Sequence, residues 1–523
     1  MNDQFALYRD IPREKFALVG SERVIKDVKL DTKPVGYLHD AFRRFCRNKA
    51  SVVAAVIILI LLLFAVIGPF FGHDTYTDAY ATDTSIVNYQ YLKPRLSFLD
   101  GSGIWDGSKK DEVSKNRYDI YLALEKERNM DIVYKVISER TVSQLGKADS
   151  TLYTIRVSTY TALQTQVMTM TQEEYFALQA WQDQNGIQVI VPYVDEAKAP
   201  AFKRNPDIWF VCDQKGNAKY DADGNFVPAY RTSGADDYTS KMRLSSDPYL
   251  ETGSTTGAYR YAKRGGTSES GYNYSVRVNS YNMFIYRYGF EPSFIFGTNE
   301  RGFDIFTRLA EGARFSFLLA IVVSAINLFI GAIYGAIEGY YGGVTDMIME
   351  RISDILSGVP FMVVTVLFNL HLASKVGVVP ALLFAFVLTG WIGMASRVRM
   401  QFYRFKNQEY VLAARTLGAR DARIMFKHIF PNSLGTIITG SILVIPGVIF
   451  SETTLSYLGI INLDSTTMSS VGSMLSSGQS CMTTAPHVVL FPALFIALLE
   501  ISFNLFGNGL RDAFNPSLRG VEE

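Results

Sequence analysis

Between Lys49 and His73 the chain carries an apolar run, Ala50 to Phe71, without a single charged residue. About 20 such residues cross roughly 30 Å of hydrocarbon as a helix. Lipid permits little else, because backbone amides there must bond inside their own segment. Five more apolar runs follow: Phe315 to Ile337, Ile355 to Leu372, Val376 to Ser396, from after Pro431 to Leu458 with Glu452 inside it, and Val488 to Leu510 with Glu500 inside it. A six-span α-helical membrane protein is therefore predicted. The first run lies behind residues 1–49 and no small-residue cleavage pattern follows it, so it reads as a retained span, not a leader.

Basic residues orient the spans. Arg43, Arg44, Arg47 and Lys49 precede the first, and residues 397–431 are dense in arginine and lysine, whereas 460–487 contain neither. The positive-inside rule then places both termini and 397–431 in the cytoplasm, and 460–487 outside. Residues 72–296 fall outside as well. Their composition turns polar, and TLYTIRVSTY (151–160), GIQVIVPYV (186–194) and YSVRVNSY (274–281) read as strands. TQEEYFALQAWQDQNG (171–186) reads as a helix with Thr171 and Glu174 as a capping box and Gly186 as terminator. The expectation is an α+β extracytoplasmic insert. DADGN (221–225) resembles part of a calcium loop, but the remaining ligands are missing and a hairpin turn is the better reading.

Net charge is +1, which implies no general attraction to nucleic acid. Cys46, Cys212 and Cys481 are scattered, with neither disulfide nor zinc spacing. No GxxxxGK[ST] phosphate loop occurs, and the five histidines form no catalytic or metal-ligand constellation. The chain is thus expected not to be an enzyme and to bind no cofactor or metal itself.

The charged stretch EYVLAARTLGARDARIMFKHIFPN (409–432) lies between two spans. Tyr410, Ala413, Ala414 and Leu417 recur at helical spacing, Gly418 can end that helix, and Ala422, Met425, Phe426 and Ile429 form a second stripe. Arg420, Arg423 and Lys427 share the opposite face; Pro431 is expected to end the second helix, with Asn432 or Ser433 capping the next span. A basic loop resting on anionic membrane lipid is one reading. The two alanines beside the glycine, which let another surface approach closely, favour a protein partner.

This stretch resembles the EAA loop of bacterial ABC-importer permeases, through Ala413, Ala414, Gly418, Ile429 and Pro431. Leu412 stands where that family usually has the Glu, and Glu409 lies nearly one turn earlier. DAFRRFCRNKASVVAAVIILILL (40–62), FGTNERGFDIFTRLAEGARFSFLLA (296–320), EGYYGGVTDMIMERISDILSGVP (338–360), FSETTLSYLGI (450–460) and FNLFGNGLRDAFNP (503–516) are similar to the second (C-type) permease of the dipeptide/oligopeptide family. The resemblance implies a type I permease fold, with segment 1–49, first span 50–71, insert 72–296, and a core at 297–519 carrying a coupling loop at 407–431. Glu409, Ala413, Ala414, Arg415, Gly418, Ile429 and Pro431 would form the ATPase-coupling site. It further implies a second homologous permease, two ATP-binding subunits that use ATP and magnesium, and an external substrate-binding lipoprotein, in a bacterial plasma membrane. Residues 464–487 would face that lipoprotein. Nickel or another small solute is the alternative cargo, and a sensor or scaffold without transport the alternative function. Intramembrane carboxylates are expensive unless wet or partnered, so Glu452, Glu500 and Asn504 are the candidates for the translocation path.

Overall fold

The computed structural model describes residues 37–71, 89–142, 150–231, 260–267, 271–463 and 469–514. The remaining sequence, including 464–468 of the loop expected to face a lipoprotein, lies outside the described residues. A short basic helix α1 (Tyr37–Arg47) leads into the apolar α2 (Lys49–Phe71). Ser51, Ala54, Ile58, Leu61, Ala65 and Gly68 are the buried residues of α2, in alternating three- and four-residue steps. That seam is the sequence pattern of one narrow helix–helix interface.

The described residues of the 72–296 segment form two small antiparallel sheets. The first pairs β1 (Ser108–Ser114), β3 (Ser150–Ser158) and β2 (Val133–Val142) in the order β1-β3-β2, with α3 (Lys115–Arg128) packed against it. In the second, β7 (Gly271–Val278) pairs with β4 (Gln166–Thr171), β5 (Ile190–Val191) and β6 (Ala262–Thr267). The strand expected over 186–194 thus shrinks to two paired residues. Helix α4 (Gln172–Asn185) carries the expected capping box between Thr171 and Glu174 and ends at Gly186 in a left-handed conformation. Asp221 accepts from the amides of Asp223 and Asn225 at 3.0 and 2.7 Å, closing the hairpin turn. A buried ion pair joins the two sheet layers: both oxygens of Glu127 on α3 accept from Arg277 on β7, and Tyr230 donates to the same carboxylate at 2.8 Å. After β7, α5 (Ser280–Tyr288) leads back toward the apolar helices.

Among the described residues five helices are long and apolar enough to cross a membrane, and one bent pair could form a sixth crossing. They are α2, α6 (Ile305–Tyr341), α9 (Val378–Phe405), α11 (Asp421–Tyr457) and α13 (His487–Phe514); the pair is α7 (Gly343–Ser357) and α8 (Phe361–His371), bent by 69°. The break falls inside the run read as Ile355 to Leu372. Pro360 is the cause, because it lacks an N–H and disfavours helical geometry at Val359. Two short helices that bear on the site are α10 (Glu409–Thr416) and α12 (Val471–Gly478).

The main apolar core lies among α2, α6, α11, α12 and α13, around Leu309, Phe317, Ile449 and Leu499. A second, smaller core joins α6, α9, α10 and the start of α11. Between α6 and α9 the backbones touch. A Cβ on Gly331 would meet the Met394 Cβ at 2.7 Å, one on Gly339 would meet the Arg399 carbonyl at 2.7 Å, and one on Gly335 would overlap the Ala395 carbonyl. Gly335→Leu is therefore expected to pry α6 from α9. Detergent-solubilised protein should then unfold at a lower temperature than wild type, by well over the effect of a surface substitution, whereas Gly393→Leu, where nothing lies near a Cβ, should not.

Candidate coupling and translocation sites

Helix α10 begins after Gln408, with the Glu409 carboxylate in the first turn at the positive end of the helix dipole. Its one buried residue is Val411, which inserts into the second core beside Tyr340, Phe402, Ile424 and Ile429. The expected stripe of Tyr410, Ala413, Ala414 and Leu417 is therefore not the packing face. Tyr410 and Ala413 are exposed, Ala414 is half-buried, and Leu417 is 88% exposed. The four share helical spacing, but the residue that α10 buries in the body is Val411. Leu412 and Phe426 add to the uncovered apolar surface.

Gly418 adopts φ 79° with nothing within 4 Å of a Cβ, so the turn demands glycine for its backbone and not for space. Beyond it, α11 starts at Asp421 and runs through Pro431 without ending there. Residues Ile424–Ile429 form a π-turn, and the Phe430 amide bonds the Met425 carbonyl five residues back. The widened turn accommodates the proline ring, which would otherwise clash with the carbonyl four residues earlier. Neither Asn432 nor Ser433 is a cap. Ser433 bonds back to the Ile429 carbonyl at 3.1 Å, and Asn432 donates to the His428 carbonyl and the Tyr410 hydroxyl at 2.8 and 3.2 Å. Ile429 is fully buried and Pro431 exposed.

Three polar links that the sequence did not reveal join the helix ends around this knob, and the first of them holds the knob itself. The Tyr340 hydroxyl, at the end of α6, donates to Asp421 at 2.6 Å, and the Arg415 guanidinium lies 5.7 Å from the Tyr340 ring centre. Arg399 on α9 forks onto Asp346 of α7 at 2.6 and 2.8 Å and reaches Glu350 at 2.9 Å. Lys406 donates to the Gly339 carbonyl at 2.9 Å. The EGYYGG segment at 338–343 was the available signal, since a tyrosine and acids beside a helix-ending glycine pair mark a polar junction.

The three candidates for a path separate. Glu452 on α11 is 1% exposed; it accepts from Ser316 of α6 at 2.8 Å and from Ser456 at 2.9 Å. Within this chain it ties α11 to α6. Glu500 is half-buried on α13 with one carboxylate oxygen left without a partner, and Asn504 is exposed one turn on. Asn508 continues their line and is exposed too. Spacing of four residues puts all three on one face of α13. This polar face borders an apolar one formed by Leu494, Leu498, Ile501 and Leu505.

Comparison with known proteins bears on these sites. Residues 327–520 match the family described as the binding-protein-dependent transport system inner membrane component, and residues 36–94 match the N-terminal TM domain of oligopeptide transport permease C. The oligopeptide transport system permease protein OppC of Bacillus subtilis (strain 168) is 44% identical over 224 residues, which is 43% of this chain and 72% of that one. The dipeptide transport system permease protein DppC of the same organism is 41% identical over 225 residues, 43% of this chain and 69% of that one. OppC of Haemophilus influenzae is 39% identical over 246 residues, covering 47% and 78%. This chain belongs to the family of ABC-transporter permeases, and with its five or six apolar helices it is a multi-pass membrane protein.

The contrast between the buried Glu452 tie and the Glu500–Asn504 face gives a measurable expectation. Glu452→Ala leaves the Ser316 hydroxyl and a cavity unfilled, and should lower stability by about 2–4 kcal/mol. Asn504→Ala, at an exposed position, should stay within about 0.5 kcal/mol, and Glu500→Gln, which keeps the shape and breaks no hydrogen bond among the described residues, should cost far less than Glu452→Ala. Thermal unfolding of the three variants in one detergent decides between them.

Proposed function

We propose that this chain is the second permease subunit of an ATP-driven importer of dipeptides and oligopeptides. The observation that carries the proposal is the uncovered knob. Leu412, Ala413, Ala414 and Leu417 turn outward around a glycine turn, while Val411 and the Tyr340–Asp421 bond hold the helix to the spans. An apolar surface tied so firmly to membrane helices suits a moving partner better than lipid. That partner is an ATP-binding subunit, one of two in the complete transporter, which supplies the ATP and magnesium chemistry that this chain lacks. The relatives named for oligopeptide and dipeptide transport support the choice of cargo.

In this reading α7 and α8 make the third of six crossings, both termini are cytoplasmic, and the insert is extracytoplasmic. A second homologous permease completes the path, to which Glu500 and Asn504 contribute, and an external lipoprotein delivers the peptide. ATP binding closes the two ATPases, and their movement is passed through α10 to α11 and α6. Each state of the spans is favoured only as far as the partner contacts differ between states. The insert seats the lipoprotein or shapes the outer vestibule.

Gly418→Pro forces φ from +79° to near −65°, and Ala414→Arg sets a bulky cation on the outward face. Both variants are expected to insert in the membrane at wild-type level, to lose pull-down of the ATP-binding subunits, and to abolish uptake of labelled tripeptide. Wild-type pull-down by either one would contradict the docking role.

A further inference from the structure

The insert contains a basic trough that nothing above employs. A cavity of about 560 Å³ lies at the first turn of α3, lined in part by Arg117, Arg204 and Lys215. A second, of about 360 Å³, is lined in part by Lys93, Lys109 and Thr484. The two share Arg117, Tyr121, Ala162 and Gln164, so they adjoin. Thr484 belongs to the segment entering α13, and the Lys93 ammonium donates to its carbonyl at 3.3 Å. The trough therefore runs from the insert to the edge of the permease helices.

Its charge is one-sided. Five cations line it against one carboxylate, Asp207, which already accepts from the Thr165 amide at 2.7 Å and faces Arg128 at 3.5 Å. Lys109 is paired with Asp111 at 3.0 Å. Among the described residues no carboxylate lies within ion-pair distance of Lys93, Arg117, Arg204 or Lys215, although Asp111 and Asp207 act on Arg117 from farther off. Arg117 donates to the Tyr121 hydroxyl at 3.1 Å, and Arg204 to the Gln214 carbonyl, both neutral acceptors. Burial, and after it the Lys109 charge, holds the Lys93 ammonium below the ordinary lysine range. An entering anion would relieve that penalty. A concave trough of this size suits an extended chain, whereas folded proteins dock on broader, flatter surfaces.

We propose that this trough receives peptides bearing several carboxylates and holds them through Arg117, Arg204 and Lys93 beside the permease helices. The inference rests on the peptide-importer reading for its choice of ligand. It is tested on the full-length chain in nanodiscs by titration with hexaglutamate and, as the neutral control, hexaserine. Hexaglutamate should bind about tenfold or more tightly than hexaserine, and salt should weaken it. Arg117→Glu combined with Arg204→Glu, both exposed positions, should lose about tenfold or more of that affinity. The Gln pair at the same positions serves if the Glu pair misfolds. Equal binding of the two peptides, or unchanged hexaglutamate binding in the variant, overturns the proposal. So does a variant that keeps hexaglutamate but loses capture of the substrate-binding lipoprotein, which would make the trough a protein dock. Retained uptake of a neutral tripeptide by a variant transporter that no longer binds hexaglutamate supports it. A wild-type transporter that carries no peptide would refute the importer reading, and the titration would still decide this site.

Discussion

The close contact of α6 and α9 is the constraint on which the other features depend. Lipid tails are as apolar as leucine, so helices gain little by hiding apolar surface from them, and van der Waals contact must hold the pair. Gly331, Gly335 and Gly339 sit one turn apart and remove the side chains that would keep the backbones apart. Immediately beyond this seam lie the polar links. Tyr340 follows Gly339 and bonds Asp421; Arg399, whose carbonyl faces Gly339, grips Asp346 and Glu350. With the seam closed, α6, α7, α9, α10 and α11 meet at one junction.

The insert is joined to the permease helices by packing as well as by chain. Phe296 stacks on Phe491 with ring centres 4.1 Å apart, and a Cβ on Gly297 would meet the His487 ring at 2.9 Å. Within the insert, Glu127 and Arg277 are both nearly or fully buried and form an ion pair. A buried pair of this kind is weak evidence for stability but is strongly destabilising to break. It holds α3, at whose first turn the basic trough opens, in register with β7.

The spans were legible because hydrocarbon imposes a length and a composition that a run of residues either meets or fails. Helix α4 and its capping box were legible for a similarly local reason, since Thr171 and Glu174 are three residues apart. What stayed hidden depends on distant partners. Nothing in the sequence near Glu452 announces Ser316, and Glu127 and Arg277 are 150 residues apart. The knob shows the limit of periodicity: it grouped Tyr410, Ala413, Ala414 and Leu417, yet only the fold reveals that Val411 packs and the stripe does not. Pro431 was read as a stop by a rule that a π-turn circumvents, and Pro360, a true break, lay unremarked within a predicted span.

The most direct measurement is site-specific crosslinking in the assembled transporter. Single cysteines replace Val411, Leu412 and Leu417 in a background lacking Cys46, Cys212 and Cys481, and a short bifunctional reagent is added during turnover. Positions 412 and 417 should link to an ATP-binding subunit and position 411 should not. Efficient transport without any link from 412 or 417 would contradict the docking of this knob on the ATPase.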